Sequence, residues 1–139
     1  DWLDIRSQTY GILQREDTLK EIVQLLGPEA LPDEEKLILE VARMVKIGIL
    51  QQNSFDDVDT YCSPEKQFKL MKLQVDFYNK GQQALKDGAS LADIRSMDVI
   101  SLLLKARMDV KDDEMDKLDK IETQMVEQFK SITGVTVKN

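Results

Sequence analysis

Apolar residues recur along this chain at helical spacing, and glycines, prolines and capping residues cut the pattern into five or six stretches. Ile5, Ile12, Leu19, Ile22, Val23 and Leu26 share one face of a first helix, with Asp1 as its cap, Trp2 as its first residue and Asp4 in the capping-box position. Gly27-Pro28 stops it. Pro32 or Asp33 opens a second helix, whose first turn holds Glu34 and Glu35 near the positive end of the helix dipole. Leu37, Ile38, Val41, Met44, Val45 and Ile49 form its apolar stripe. From Gln51 to Cys62 no period is sustained, and Asn53-Ser54 and Asp56-Asp57 mark a structured loop. Ser63-Pro64-Glu65 combines a hydroxyl cap, a proline at the first position and an acid, which starts a third helix. Phe68, Met71, Val75, Tyr78 and Leu85 carry it toward Gly88. Ser90 and Asp93 are spaced as a capping box for a short helix, Leu91 to Ser96, and another follows from Met97 to Arg107. Met115, Leu118, Ile121, Met125 and Phe129 form the stripe of a last helix, from about Asp112 to Ile132 before Gly134. Val135 to Asn139 reads as a frayed tail. No stretch alternates like a strand, and the fold predicted is an all-α multi-helix bundle.

Composition narrows the chemistry more than the fold. The chain has 139 residues, the size of one domain, and 26 acidic against 19 basic residues give a formal charge of −7. That sign argues against a nucleic-acid partner, whose phosphates call for basic surface. Histidine is absent, which removes Ser-His-Asp and Cys-His catalysis, di-iron Glu-x-x-His motifs and His-ligated zinc. One cysteine, Cys62, excludes an intrachain disulfide and a cysteine-based zinc site; without a histidine it reads as a packed thiol. Asp112, Asp113, Glu114 and Asp116 crowd one stretch beside Lys111 and Lys117. They lack the alternating ligands, central glycine and closing glutamate of a calcium loop, and read as a solvated helix start. No metal ligand set and no cofactor site emerges. The apolar run Val99 to Leu104 is too short to span a bilayer, so no membrane insertion is expected. Neither G-x-x-x-x-G-K-[ST] nor G-x-G-x-x-G occurs, and no set of residues here can carry out a reaction alone.

Two segments are more specific than a generic bundle requires. The first is Leu25-Leu26-Gly27-Pro28-Glu29-Ala30-Leu31-Pro32-Asp33-Glu34-Glu35-Lys36, and the second is Leu50-Gln51-Gln52-Asn53-Ser54-Phe55-Asp56-Asp57-Val58-Asp59-Thr60-Tyr61-Cys62-Ser63-Pro64. With Ile12-Leu13-Gln14-Arg15-Glu16 and Leu39-Glu40-Val41-Ala42-Arg43, they closely resemble the C-terminal helical domain of the catalytic A subunit of archaeal and bacterial V/A-type rotary ATPases. The resemblance is dense from about Trp2 to Tyr78 and thins beyond Gly88. It implies that residues 1–139 are a single C-terminal domain cut from a longer subunit, as a helix opening at the first residue also reads. The P-loop and catalytic carboxylate would belong to a preceding nucleotide-binding domain, so this piece alone should be inactive. The parent subunit would bind Mg-ATP or Mg-ADP, alternate with a B subunit in a hexameric ring, and meet the rotor subunits of a central stalk. The ring would sit on the cytoplasmic side, peripheral to the membrane.

The same resemblance assigns candidate site residues. Glu29-Ala30-Leu31-Pro32-Asp33-Glu34-Glu35 also resembles the acidic torque loop of the F-type catalytic subunit, Asp-Glu-Leu-Ser-Glu-Glu-Asp, and implies contact with the central stalk. Pro32 replaces the serine cap and Ala30 a charge, which weakens the local field. Read without the resemblance, these acids simply start a helix, each adding about 0.3–1 kcal/mol through the dipole. In the second segment the family sets aromatic and polar residues against the adenine ring; Phe55 and Tyr61 match the aromatics, and Gln51 and Gln52 lie where they contact the base or nearby backbone. The alternative for Phe55 and Tyr61 is an anchor holding the loop to the bundle. Two rival functions remain open on sequence grounds: a free-standing acidic helical adaptor that binds a partner helix, and a small helical enzyme. The second is opposed by the missing histidine and the lack of a convergent acid–base pair.

Overall fold

The computed structural model describes residues 2–50 and 63–133, which form an all-helical bundle. Helix α1 spans Trp2–Leu26, α2 Asp33–Val45, α3 Pro64–Lys86, α4 Leu91–Arg95, α5 Val99–Asp109 and α6 Asp116–Thr133. Single 3₁₀ turns at Pro28–Ala30 and Asp112–Glu114 precede α2 and α6, and a π-helical turn, Lys46–Leu50, extends α2. The caps sit where the sequence places them. Ser63 Oγ accepts from the Lys66 amide, and Pro64 follows as the first helical residue. Ser90 and Asp93 exchange side chain-to-backbone bonds of 3.0 and 3.3 Å. Gly88, at φ 104°, closes the turn after α3 in a conformation that a Cβ would strain. Asp1, Gly134 and the tail Val135 to Asn139 lie outside the described residues.

Helix α3 is the central post, with α1 and α2 packed on one side and α5 and α6 on the other. Covering both sides gives it a broad buried face centred on Leu70, Leu73, Gln74, Phe77, Gly81 and Ala84. The predicted stripe runs along one edge of that face: Met71 and Val75 are buried, while Phe68, Tyr78 and Leu85 are only partly covered. The expected stripes of α2 and α6 hold, with Met115 at the margin. Tilted aromatic pairs join the layers, Phe77 to Phe129 at 5.3 Å and Trp2 to Phe68 at 5.9 Å between ring centroids. Helix α1 buries a narrow line, Ile5, Thr9, Ile12, Glu16 and Leu19. Ile22 and Val23 are half-buried, and Leu26 corrects the sequence reading: it is 73% exposed, because the last turn of α1 has no helix to cover it.

Candidate functional site

The turn between α1 and α2 builds a stiff, acidic tip. Gly27 takes φ 88°, ψ 160°, so the chain leaves α1 sharply. Pro28–Ala30 then winds one 3₁₀ turn, closed by amide bonds from Ala30 to the Gly27 carbonyl and from Leu31 to the Pro28 carbonyl, each 3.2 Å. Pro32 caps α2 with extended backbone, and its carbonyl accepts from the amides of Glu35 and Lys36. Two prolines fix φ on either side of the turn, which limits the conformations it can sample.

The tip's side chains divide between outward and inward. Glu29, Ala30, Pro32, Asp33 and Glu34 are exposed. Leu31 is 4% exposed and nails the turn to the core. Glu35 is braced, its carboxylate 2.8 Å from the Arg15 guanidinium on α1. Leu25, 83% exposed, and Leu26 stand beside the acids as an uncovered apolar pair. The sequence reading missed this patch because Leu26 continues the period of the buried stripe. What it leaves out is that α1 outruns its neighbours. A cleft of about 330 Å³ borders the tip, lined by Pro28, Glu29 and Leu31 together with Glu40, Arg43 and Arg95.

The far end of α2 leads toward the other candidate segment. Gln51, Gln52, Phe55, Tyr61 and Cys62 lie outside the described residues. The flanks are described. Glu16, 5% exposed, accepts from Lys46 Nζ at 2.8 Å, while Lys20 Nζ lies 3.6 Å away. This pins the start of the π turn to α1. The hydrogen bond to Glu16 raises the Lys46 pKa above the ordinary lysine value, against the opposing effect of desolvation. Helices α3 and α6 are tied by Lys69 to Asp119 at 2.7 Å, and the Lys69 pKa is likewise raised, first by that bond. Among the described residues no cluster of three or more histidine, cysteine or acidic side chains is arranged to hold a metal ion, and no helix is long and apolar enough to cross a membrane.

The sequence of this helical bundle matches a known family. The family model for the C-terminal domain of V and A type ATP synthase matches residues 1–95. The chain belongs to this family. Its relatives continue past that boundary. The A subunit of the A-type ATP synthase of Methanopyrus kandleri is 42% identical over 132 residues, which is 95% of this chain and 22% of the relative. That of Ignicoccus hospitalis is 40% identical over 134 residues, again 95% and 22%. The V-type ATP synthase alpha chain of Halothermothrix orenii is 35% identical over 129 residues, 93% and 22%. The chain thus spans about a fifth of the length of these relatives, and in them the similarity takes in the region of α5 and α6 that the family model leaves out.

Proposed function

We propose that residues 1–139 are the C-terminal helical domain of a catalytic A subunit in a V/A-type rotary ATPase, and that the domain couples ATP chemistry in the ring to rotation of a central stalk. The parent subunit binds Mg-ATP and Mg-ADP through a preceding P-loop domain and alternates with a B subunit in a soluble head on the cytoplasmic side of the membrane. This domain supplies no catalytic residue, and by itself it is inactive.

The observation that carries the reading is the tip. A surface that pushes on a moving partner must resist deformation, and here two prolines stiffen the turn, the buried Leu31 anchors it to the core and the Arg15–Glu35 pair ties it to α1. Glu29, Asp33 and Glu34 are exposed on the same turn, which follows directly on the uncovered Leu25 and Leu26. Exposed ion pairs contribute about 0–1 kcal/mol each, so shape and apolar contact carry the force while the acids orient a basic stalk. Residues 51–62, leaving α2 at its far end, face the nucleotide held by the preceding domain. Phe55 and Tyr61 there contact the adenine ring, aided by Gln51 and Gln52.

Site-specific cross-linking tests the tip assignment. In the assembled complex with Cys62 replaced by serine, a photoactivated cross-linker on a Leu26→Cys variant is expected to capture a stalk subunit. Adducts confined to neighbouring ring subunits would remove the tip from the stalk interface.

A further inference from the structure

The cleft beside the tip carries a charge at odds with the rest of the chain. Lys36, Arg43 and Arg95 line it against Glu29 and Glu40, three cations to two carboxylates, on a chain of formal charge −7. Glu29 is exposed, and the covered carboxylate is that of Glu40 on α2, with a side chain only 14% exposed. Both guanidiniums turn to it. Arg43 Nη2 donates to Glu40 Oε2, and Arg95 Nε, on α4, lies 3.7 Å from Glu40 Oε1. Among the described residues no other carboxylate comes within ion-pair distance of either arginine, and none does so for the half-buried Lys36.

One carboxylate cannot use the donors of two guanidiniums. Each guanidinium offers five N–H groups in a planar fork that suits two-point contact with a carboxylate. Glu40 takes one bond from Arg43, and at 3.7 Å it takes none from Arg95. Both arginine side chains are about half exposed, so their remaining donors stay accessible. The cleft suits a second carboxylate on a short apolar stem. Pro28, Leu31 and Leu39 supply lining for methylene groups. Its volume of about 330 Å³ lies at the bottom of the range of about 300–1,000 Å³ for small-molecule sites, which fits a side chain better than a cofactor.

We propose that this cleft receives an acidic side chain of the central stalk, which deepens and rests on the reading of the tip as the stalk-facing surface. Glu29, Asp33 and Glu34 meet basic residues of the stalk, and Lys36, Arg43 and Arg95 meet an aspartate or glutamate next to them. A surface of one sign attracts a partner without fixing its register. Two signs side by side admit it in one orientation, because a slip sets like charges together. A free anion is a poorer occupant: Glu29 and Glu40 repel it, and it cannot cover Leu25 and Leu26, which a folded stalk covers in the same contact.

Carbodiimide coupling in the assembled complex tests this, since the reagent joins an amine to a carboxylate only where the two touch. Lys36 is expected to be coupled to an aspartate or glutamate of a stalk subunit, read by mass spectrometry of the linked peptides, and Lys36→Arg should abolish the product. Arg43→Gln combined with Arg95→Gln is expected to weaken binding of the isolated stalk subunits to the ring about three- to tenfold at low salt, the gap narrowing as salt rises. Glu40→Gln keeps both guanidiniums and removes their competitor, so it should bind the stalk at least as tightly as wild type. Equal weakening in Glu40→Gln would assign the three side chains to holding α4 against α2 and overturn the docking role. Coupling of Lys36 to a neighbouring ring subunit would replace the occupant and overturn it too. Leu26→Cys adducts on the stalk, with no Lys36 product and unchanged binding in the arginine variant, would sink the cleft and leave the tip reading standing. Adducts confined to the ring would remove both.

Discussion

Glu16, Lys66 and Gln74 are the residues where pattern and structure part most clearly. Each occupies a helical position that a core side chain would take, and each is almost fully buried. Periodicity cannot find them, because it counts apolar residues, and burial of a polar group depends on a partner supplied by another element. Glu16 is buried because Lys46, thirty residues away in sequence, comes within 2.8 Å. Lys46→Met leaves that carboxylate facing only the more distant Lys20, and is expected to cost about 1–2 kcal/mol in denaturant unfolding at neutral pH, with Lys20→Met nearly silent. The sign of the pH dependence follows from the raised pKa of Lys46. The stabilisation is fully present below the ordinary lysine value and is lost as pH climbs through the raised folded-state value. The stability gap between wild type and Lys46→Met should therefore persist through mildly alkaline pH and close at strongly alkaline pH. A gap that closes in the acidic range alone would place its source elsewhere.

Helix starts and stops were legible as elements because they are local: Ser63-Pro64, Ser90 with Asp93 and Gly27-Pro28 act within one turn of the chain. The π turn at Lys46–Leu50 was not, since Ile49 keeps the period that a regular helix would have, and the turn's close approach to α5 at Gly48 is a tertiary contact that no local pattern records. The width of α3's buried face was likewise hidden, because it depends on how many helices surround it. Two glycines with similar sequence settings separate these scales. At Gly11, in exposed α1, an added Cβ would meet nothing within 4 Å, so Gly11→Ala is expected to stabilise by about 0.5–1 kcal/mol through helix propensity. At Gly81 a Cβ would meet the buried Leu37 side chain of α2 at 2.9 Å. Gly81→Ala should gain the same propensity and still lose about 1–2 kcal/mol overall, from displaced core packing. Thermal unfolding of the two variants with opposite signs would support this account of the α2–α3 contact. Equal stabilisation would refute it.

In the molecule as a whole, α2 runs from the acidic tip to the π turn, so the proposed stalk side and the proposed nucleotide side lie at opposite ends of one packed helix. Leu37, Ile38, Val41, Ala42, Met44 and Val45 are all buried along it, and a helix so embedded moves with its neighbours as a rigid body. The acidic tip was marked in the sequence as a candidate site through its resemblance to a torque loop. Its uncovered leucines were not, since exposure at the end of α1 depends on where the other helices stop. The proposed role of this tip is to transmit force by its stiffness. Single-molecule rotation of the reassembled ring and stalk tests it most directly, comparing replacement of Pro28 to Pro32 by glycines with neutralisation of Glu29, Asp33, Glu34 and Glu35. A clear fall in torque, or in ion transport per ATP hydrolysed, is expected for the glycine variant and only a modest change for the neutralised one. Full torque and full coupling in the glycine variant would contradict it.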